Sequence, residues 1–417
     1  MARNRQNHVG ASPSAGSGSI VVLDLGGYTA KIGMATDAAP HVLSNCIFKA
    51  KSEKKRQFVS GQLADCKDQH QLFHMYPFNS GYLTNWELQE RVLDYFFGSE
   101  VLKINTQTSQ LIVTEPYFNL QYMKKSFVEA LFEGYEFQSL FVCPPAYLSS
   151  HLFQTRYRDE STCLIVDSGY SFTHIIPVIN GSIAWNGVLR VPVGGKILTN
   201  HLKQRVTLTQ LDVMDETSVM NQIKELACFV STDLAGDFRK AREDERGLTR
   251  TCVLPDYATY SEPFVRPVEE TFSRPLEHEQ LIRLDIDRFL APEILFHPSV
   301  IGDERKGITE ACVESVRRFA KDEQYALFRN IVLTGGNCKF EGFKDRLVRE
   351  IEPEVPEFGQ VEAMMLGNPI TTAWQGGKAF AESLLFDKMR VTKAEYEEKG
   401  DAVCEMKFIR ASSKSVD

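Results

Sequence analysis

Two stretches of the chain carry the same hydrophobic pattern. Residues 21–35 read VVLDLGGYTAKIGMA and residues 164–178 read LIVDSGYSFTHIIPV: each is an apolar run ending in an aspartate, with glycine two residues on. In both, a basic or titratable residue seven positions after the aspartate, Lys31 or His174, precedes an isoleucine. Apolar, β-rich runs on either side of a glycine-bearing turn predict a β-hairpin. Its tip exposes backbone N–H groups, and glycine lets an anion approach them closely, so each tip predicts a phosphate nest. Asp24 and Asp167, at the strand ends, are suited to hold a divalent cation, usually through water for Mg²⁺. Either copy alone is an ordinary turn, but its repetition predicts two similar halves clamping a nucleotide between their tips.

The remaining pattern alternates strand and helix, which predicts an α/β fold. Thr84 or Asn85 caps a helix marked by Trp86, Leu88, Val92, Leu93 and residues 95–97. QLIVTEP (110–116) reads as a buried strand, with a helix over 124–132 behind it. Gln138 reads as a polar residue at a helix start, and residues 182–193 as a further strand. Gly194, Gly195 and Lys196 open a helix carrying Leu198 and Leu202. Within 214–231, Val219, Ile223, Leu226, Ala227 and Val230 fall at helical spacing, placing Lys224 and Glu225 near its middle. Residues 237–250 read as a loop or exposed helix and 255–275 as irregular, and a turn and short helix follow Arg288. A third strand-to-glycine signal, NIVLTGGNCKFEG (330–342), brings Gly335 and Gly336 close to something flat or anionic. Residues 371–386 predict one helix packed by Trp374, Phe380, Leu384 and Leu385.

Composition narrows this picture. A chain of 417 residues with 43% apolar content exceeds one core and suggests two large folded domains. No run reaches the length of a membrane span, and the N-terminus lacks the apolar core of a signal peptide. Residues 1–18 read as a disordered tail. Nine cysteines, without a CxxC pair or His-rich metal spacing, fit reduced buried thiols of cytosol or nucleus. A net charge of −8 argues against a surface made wholly for nucleic acid. In KAKSEKKR (49–56), however, five of eight residues are basic, and Lys49, Lys51, Lys54, Lys55 and Arg56 form a candidate contact for DNA or a nucleosome beside the plainer reading of a solvated loop. Phe73, Met75, Tyr76 and Phe78 are candidates for either a partner-binding patch or core.

In their order and spacing, the three glycine loops resemble those of the actin, heat-shock chaperone and sugar-kinase superfamily. The resemblance to actin runs from Ile20 to Phe408 and includes LTNWE, LIVTEP, VDSGYSFTHIIPV, VLTGGN, AWQGG and EYEEKG. Among actin-related proteins, GYSFTHI, VGGKILTNHL, VMDET, APEILFHPSVIG, NPITTAW and VCEMKF resemble the actin-related protein 6 family. The resemblance implies an actin-like ATPase-domain fold: two similar α/β halves, in four subdomains, around a central cleft. The small domain would comprise 19–149 plus 362–408, with its outer subdomain at about 48–80. The large domain would comprise 150–361, with its outer subdomain at about 194–302, and 409–417 would be a tail. A nuclear, non-filamentous subunit is implied, in the chromatin remodeller that exchanges histone H2A for its Z variant, beside a zinc-finger HIT-domain subunit.

Carried over residue by residue, the resemblance assigns ATP with Mg²⁺ to Asp24, Gly26, Gly27 and Lys31 of the first loop and Asp167 and Gly169 of the second. Lys224 and Glu225 would meet the ribose and base edge, Gly335 and Gly336 the adenosine, and Phe340 the base. Three positions depart from the family. Gly27 stands for a serine, Tyr28 for a glycine and Tyr170 for an acidic residue. Losing a hydroxyl donor and a carboxylate weakens phosphate and Mg²⁺ binding by about 1–3 kcal/mol each, and Tyr28 is bulky enough to shut the nest. Gln138 and His174 match the pair that orders attacking water in actin, but the polar, proline-bearing stretch 144–161 stretches the spacing after Gln138. His174 reads as structural, and no residue is assigned a catalytic role or direct ligation of a metal. Where actin has an apolar filament plug, this chain has Val300, Ile301 and Gly302 followed by four consecutive charges, Asp303 to Lys306, which are costly to bury. A weak ATPase or phosphotransferase, and a cytoskeletal actin-related protein, remain as alternatives.

Overall fold

The computed structural model describes residues 18–50, 56–66, 72–243, 245–357 and 359–408. The two expected tails, except Gly18, and residues 51–55 of the basic stretch lie outside these. Strand Ile20–Leu25 turns into antiparallel Thr29–Met34 in a register that sets Asp24 opposite Lys31. On its other side it runs parallel to Gln110–Thr114, which pairs with Ser139–Cys143; His41–Ser44 and Val391–Thr392 complete a six-stranded sheet. The second hairpin, Cys163–Ser168 with Thr173–Ile179, repeats the arrangement with Asp167 opposite His174. Its parallel neighbour is Ile331–Thr334, flanked by Ala363–Met364. Helices cover both sheets, so the central strands are buried on both faces, which explains their continuous apolar runs.

Each half has its own core. A third cluster, including Leu152, Phe153, Ile165, Val332 and Leu366, lies where they meet. Two helices, Pro145–Arg156 and Thr372–Ala381, cross at this junction. An outer unit of the first half is a three-stranded sheet of Phe58–Val59, Ile47–Ala50 and Leu72–Met75 over a small core around Phe48 and Phe58. On the second half, helices Gly195–Thr209 and Thr217–Ala227 stand beside another three-stranded sheet. The division expected at 149/150 falls within the crossing helix, and that at 361/362 just before edge strand Ala363–Met364. No helix among the described residues is long and apolar enough to cross a membrane.

Several local expectations need correction. Gln138 precedes a strand, not a helix, because the apolar run SLFVC fills a central, fully buried place in the first sheet. Residues 182–193 hold two short strands separated by a turn at Trp185–Gly187. The helix expected over 371–386 ends at Ala381; Ser383 is extended and a second short helix starts at Leu384. This break turns Leu384 outward at 84% exposure while Phe386 takes the core position. Of the four residues offered for a patch, Phe73 is exposed whereas Phe78 is buried. All nine cysteines are buried, and burial pushes the Cys228 and Cys252 thiols up to about 12, away from thiolate chemistry.

Candidate functional site

The two hairpin tips face each other across a cavity of about 480 Å³. Asp24, Gly26, Gly27, Lys31, Asp167, Gly169, Lys224, Glu225, Gly335, Gly336 and Phe340 all line it. Asp24 is buried; it accepts from the Thr114 hydroxyl at 2.9 Å and pairs with Lys31 at 3.4 Å. Asp167 accepts from the Tyr117 phenol at 3.3 Å. Burial, then the nearby Asp24 charge, push its carboxyl up to about 6, against the pull of Lys31 and of the Tyr117 and Thr334 hydroxyls. Tyr117 also accepts from the Ala146 amide, tying the second tip to the first turn of the crossing helix.

At the other end of the cavity Lys224 is buried, donating to Asn221 Oδ1 at 2.7 Å and Thr199 Oγ1 at 3.1 Å, and burial lowers its pKa. Asn221 in turn donates to Glu225 at 2.8 Å. Gly335 has φ +89°, and a Cβ there would lie 2.2 Å from the Ser168 carbonyl oxygen, so only glycine lets this loop pass behind the second tip. Among the described residues nothing lies within 4 Å of where a Gly336 Cβ would be, which leaves that side of the loop open. The Asn337 amide fixes the loop by donating to Ser168 Oγ and the Gly169 carbonyl oxygen.

His174 lines the cavity but is committed elsewhere. Its Nε2 accepts from Arg190 Nε at 3.0 Å, and burial, then the Arg190 charge, hold it well below the usual histidine range. It is neutral, and its acceptor lone pair is already used. Arg190 also donates to the Tyr82 hydroxyl at 2.7 Å and the Tyr117 carbonyl oxygen at 3.0 Å, and lies over the Phe172 ring. Gln138 is not in the cavity. Its amide bonds Ser109 and its carbonyl accepts from Lys393, at the far end of the first sheet. The stretch 144–161, which lengthens the spacing after Gln138, is largely the crossing helix, which presents Pro145 and Ser149 to the cavity. Tyr117, Ser149, Arg190 and Asn221 escaped the sequence reading. Arg190 alone had a signal, as a lone charge inside the apolar stretch VLRVPV.

A model of the actin family matches residues 16–409. The chain belongs to the actin family. It is 37% identical to Actin-related protein 6 of Drosophila melanogaster over 92% of this chain and 98% of that protein. It is 35% identical to Actin-related protein 6 of Arabidopsis thaliana, over 94% and 99% respectively, and 33% identical to Actin-like protein ARP6 of Cryptococcus neoformans, over 93% and 84%.

Actin-family domains generally bind ATP with Mg²⁺, and the two ends of this cavity suit that ligand unequally. Lys224, Glu225, Gly336 and the largely buried Phe340, the residues that would hold a nucleoside on the family resemblance, line the cavity together. At the tips, Asp24 is held by Lys31, and Tyr170 replaces the family's carboxylate. The Tyr28 and Tyr170 rings stack with centroids 4.6 Å apart and planes at 21°, where phosphates would be gripped. The polyphosphate and cation do not fit this end. No group of three or more His, Cys, Asp or Glu placed to hold a metal occurs among the described residues.

The half-buried Asp167 carboxyl gives a pH prediction. Its folded pKa, about 6, is above its unfolded value, so its most favourable contribution is present below about pH 4 and is lost as pH rises through 6. Asp167→Asn is expected to stabilise the protein at pH 7.5 by about 1–3 kcal/mol and to remove that part of the slope between pH 4 and 6. Urea titrations of both proteins across this range measure it; equal stability at pH 7.5 contradicts it.

Proposed function

We propose that the chain is a structural, non-filamentous nuclear subunit of an ATP-dependent chromatin-remodelling complex that exchanges histone H2A for its Z variant. The observation that carries this reading is the cleft. The histidine aligned with water activation is neutral and bonded to Arg190, and the aligned glutamine is outside the cavity, so a scaffold suits it better than an ATPase. The similarity over nearly the whole chain to proteins named Actin-related protein 6, together with the motifs from GYSFTHI to VCEMKF, supports the complex and the nuclear location. Its partners are then other remodeller subunits, including a zinc-finger HIT-domain protein. At the filament-plug position Arg305 pairs with Asp303, and Lys306 with Glu314, on an exposed loop whose charges oppose self-burial.

The test is recovery of the tagged chain from nuclear extract. It should co-purify with a remodeller of histone-exchange activity, that activity should fall when the chain is depleted, and the isolated chain should be monomeric by light scattering. Cytoplasmic recovery without these partners, or sedimentable filaments, would exclude the reading.

For the nucleosome contact, Arg56 packs over the Phe58 ring at 4.6 Å, and Lys49 lies on an outer-sheet strand. Changing Lys51, Lys54, Lys55 and Arg56 together to Ser is expected to weaken DNA binding and flatten its logarithmic salt dependence by about 3–4 in slope. Filter binding across a salt series reads this directly. An unchanged slope returns the stretch to a solvated loop.

A further inference from the structure

The two halves are joined at the hairpin tips by contacts that belong entirely to the protein. Gly27 of the first tip faces Ser171 of the second, where a Cβ on Gly27 would meet the Ser171 hydroxyl at an ordinary contact distance of 3.4 Å. Tyr28 stacks on Tyr170, and Tyr76, just after the outer-sheet strand Leu72–Met75, flanks both rings at 6.1–6.2 Å. The Tyr28 hydroxyl also accepts from the Asn221 amide of the second half at 3.4 Å. Phe172 reaches the turn at Gly81, whose missing side chain makes room for the ring, and Arg190 donates to Tyr82 next to that turn. These links form a continuous belt across the mouth of the cleft. On the family resemblance, the phosphates and cation of a nucleotide bridging the tips would lie at these same loops, beside the two stacked rings.

We propose that this belt replaces the nucleotide as the bridge between the halves: closure of the cleft does not depend on ATP or Mg²⁺, and any ligand in the remaining Lys224–Phe340 end is bound without help from phosphates. The inference rests on the cavity being the ligand site of the chain and is independent of the complex in which the chain works. Ring stacking, burial and the Asn221 bond hold the belt in the free protein, so there is no unmet role for a triphosphate to fill.

The test is calorimetric titration of the full chain with adenosine and, separately, with ATP plus Mg²⁺, alongside melting of the ligand-free protein. In the wild-type chain the triphosphate and cation should add nothing: ATP with Mg²⁺ binds no tighter than adenosine, or neither binds measurably. Tyr28→Gly with Tyr170→Asp restores the residue types typical of the family. This variant should melt lower by about 3 °C or more without ligand and bind ATP with Mg²⁺ at least about tenfold tighter than wild type. Wild-type binding of ATP about tenfold tighter than adenosine, in a Mg²⁺-dependent manner, overturns the proposal. So does a folded double variant that fails to show both changes. If that variant does not fold, the wild-type comparison still decides, and Tyr28→Phe with Tyr170→Phe, which keeps the rings and gives up the Asn221 bond, must keep the wild-type ligand preference, ATP with Mg²⁺ binding no tighter than adenosine; a departure overturns the proposal.

Discussion

Trp374→Ala is expected to lower the unfolding free energy of the first half by about 4–5 kcal/mol, with no change in denaturant slope. The indole is completely buried and heads the largest fully buried side chains among the described residues. Its N–H donates to the Val22 carbonyl oxygen at 3.1 Å, in the strand that leads to the first tip, and its ring lies against Gly33 of the partner strand. Truncation therefore removes transfer energy, leaves a cavity of ring size under a rigid sheet, and cuts the bond to Val22. Neighbouring backbone cannot collapse into this space because it is fixed by ladders on both sides. Urea unfolding followed by far-UV circular dichroism measures the loss. A cost under about 1 kcal/mol would mean that the site relaxes, contrary to its packing. Trp185, only partly buried beside Phe118, should cost far less on the same substitution.

The hairpins and the cavity residues were legible because their signals are local. A strand that must end in an aspartate, turn on glycine and return apolar leaves its pattern in consecutive residues, and the repeat at 164–178 tied one tip to the other. Lys224 and Glu225 were placed by helical spacing and the family resemblance together. What the sequence concealed was set by partners distant along the chain. Nothing near His174 announces that Arg190 takes its nitrogen, and nothing near Tyr28 announces that Tyr170 will stack on it; both facts arise only when the halves close. The misplacement of Gln138 has a related cause. In FQSLFV, Ser139 suits a helix cap as well as a strand start, and the strand is decided by the place beside Gln110–Thr114. Similarly, the break at Ser383 follows from Phe386 reaching the core, a tertiary demand that overrides a helical pattern.

A large effect of adding a single carbon is expected at Gly376. Helices Pro145–Arg156 and Thr372–Ala381 cross with backbones so close that a Cβ on Gly376 would lie 2.0 Å from the Leu148 carbonyl oxygen and 2.4 Å from its carbon. Both obstructing atoms are helix backbone, which cannot rotate away as a side chain can, so Gly376→Ala must push the helices apart, at a cost of about 3 kcal/mol. The adjacent Gly377 provides the comparison. Its Cβ would meet the Val22 side chain at 2.5 Å, an obstruction that a shift of one methyl relieves, so Gly377→Ala should cost about 1–2 kcal/mol. Urea titrations of the two variants rank them, and a reversed order would show that the crossing is looser than its geometry. The consequence extends to the cleft. Ser149 lies one residue after Leu148 and Ala373 one turn before Gly376, and both line the cavity. Separating the helices therefore moves the floor on which the tips are set, and Gly376→Ala should reduce ligand binding in the cavity even though it touches no ligand, whereas Gly377→Ala should leave it nearly intact.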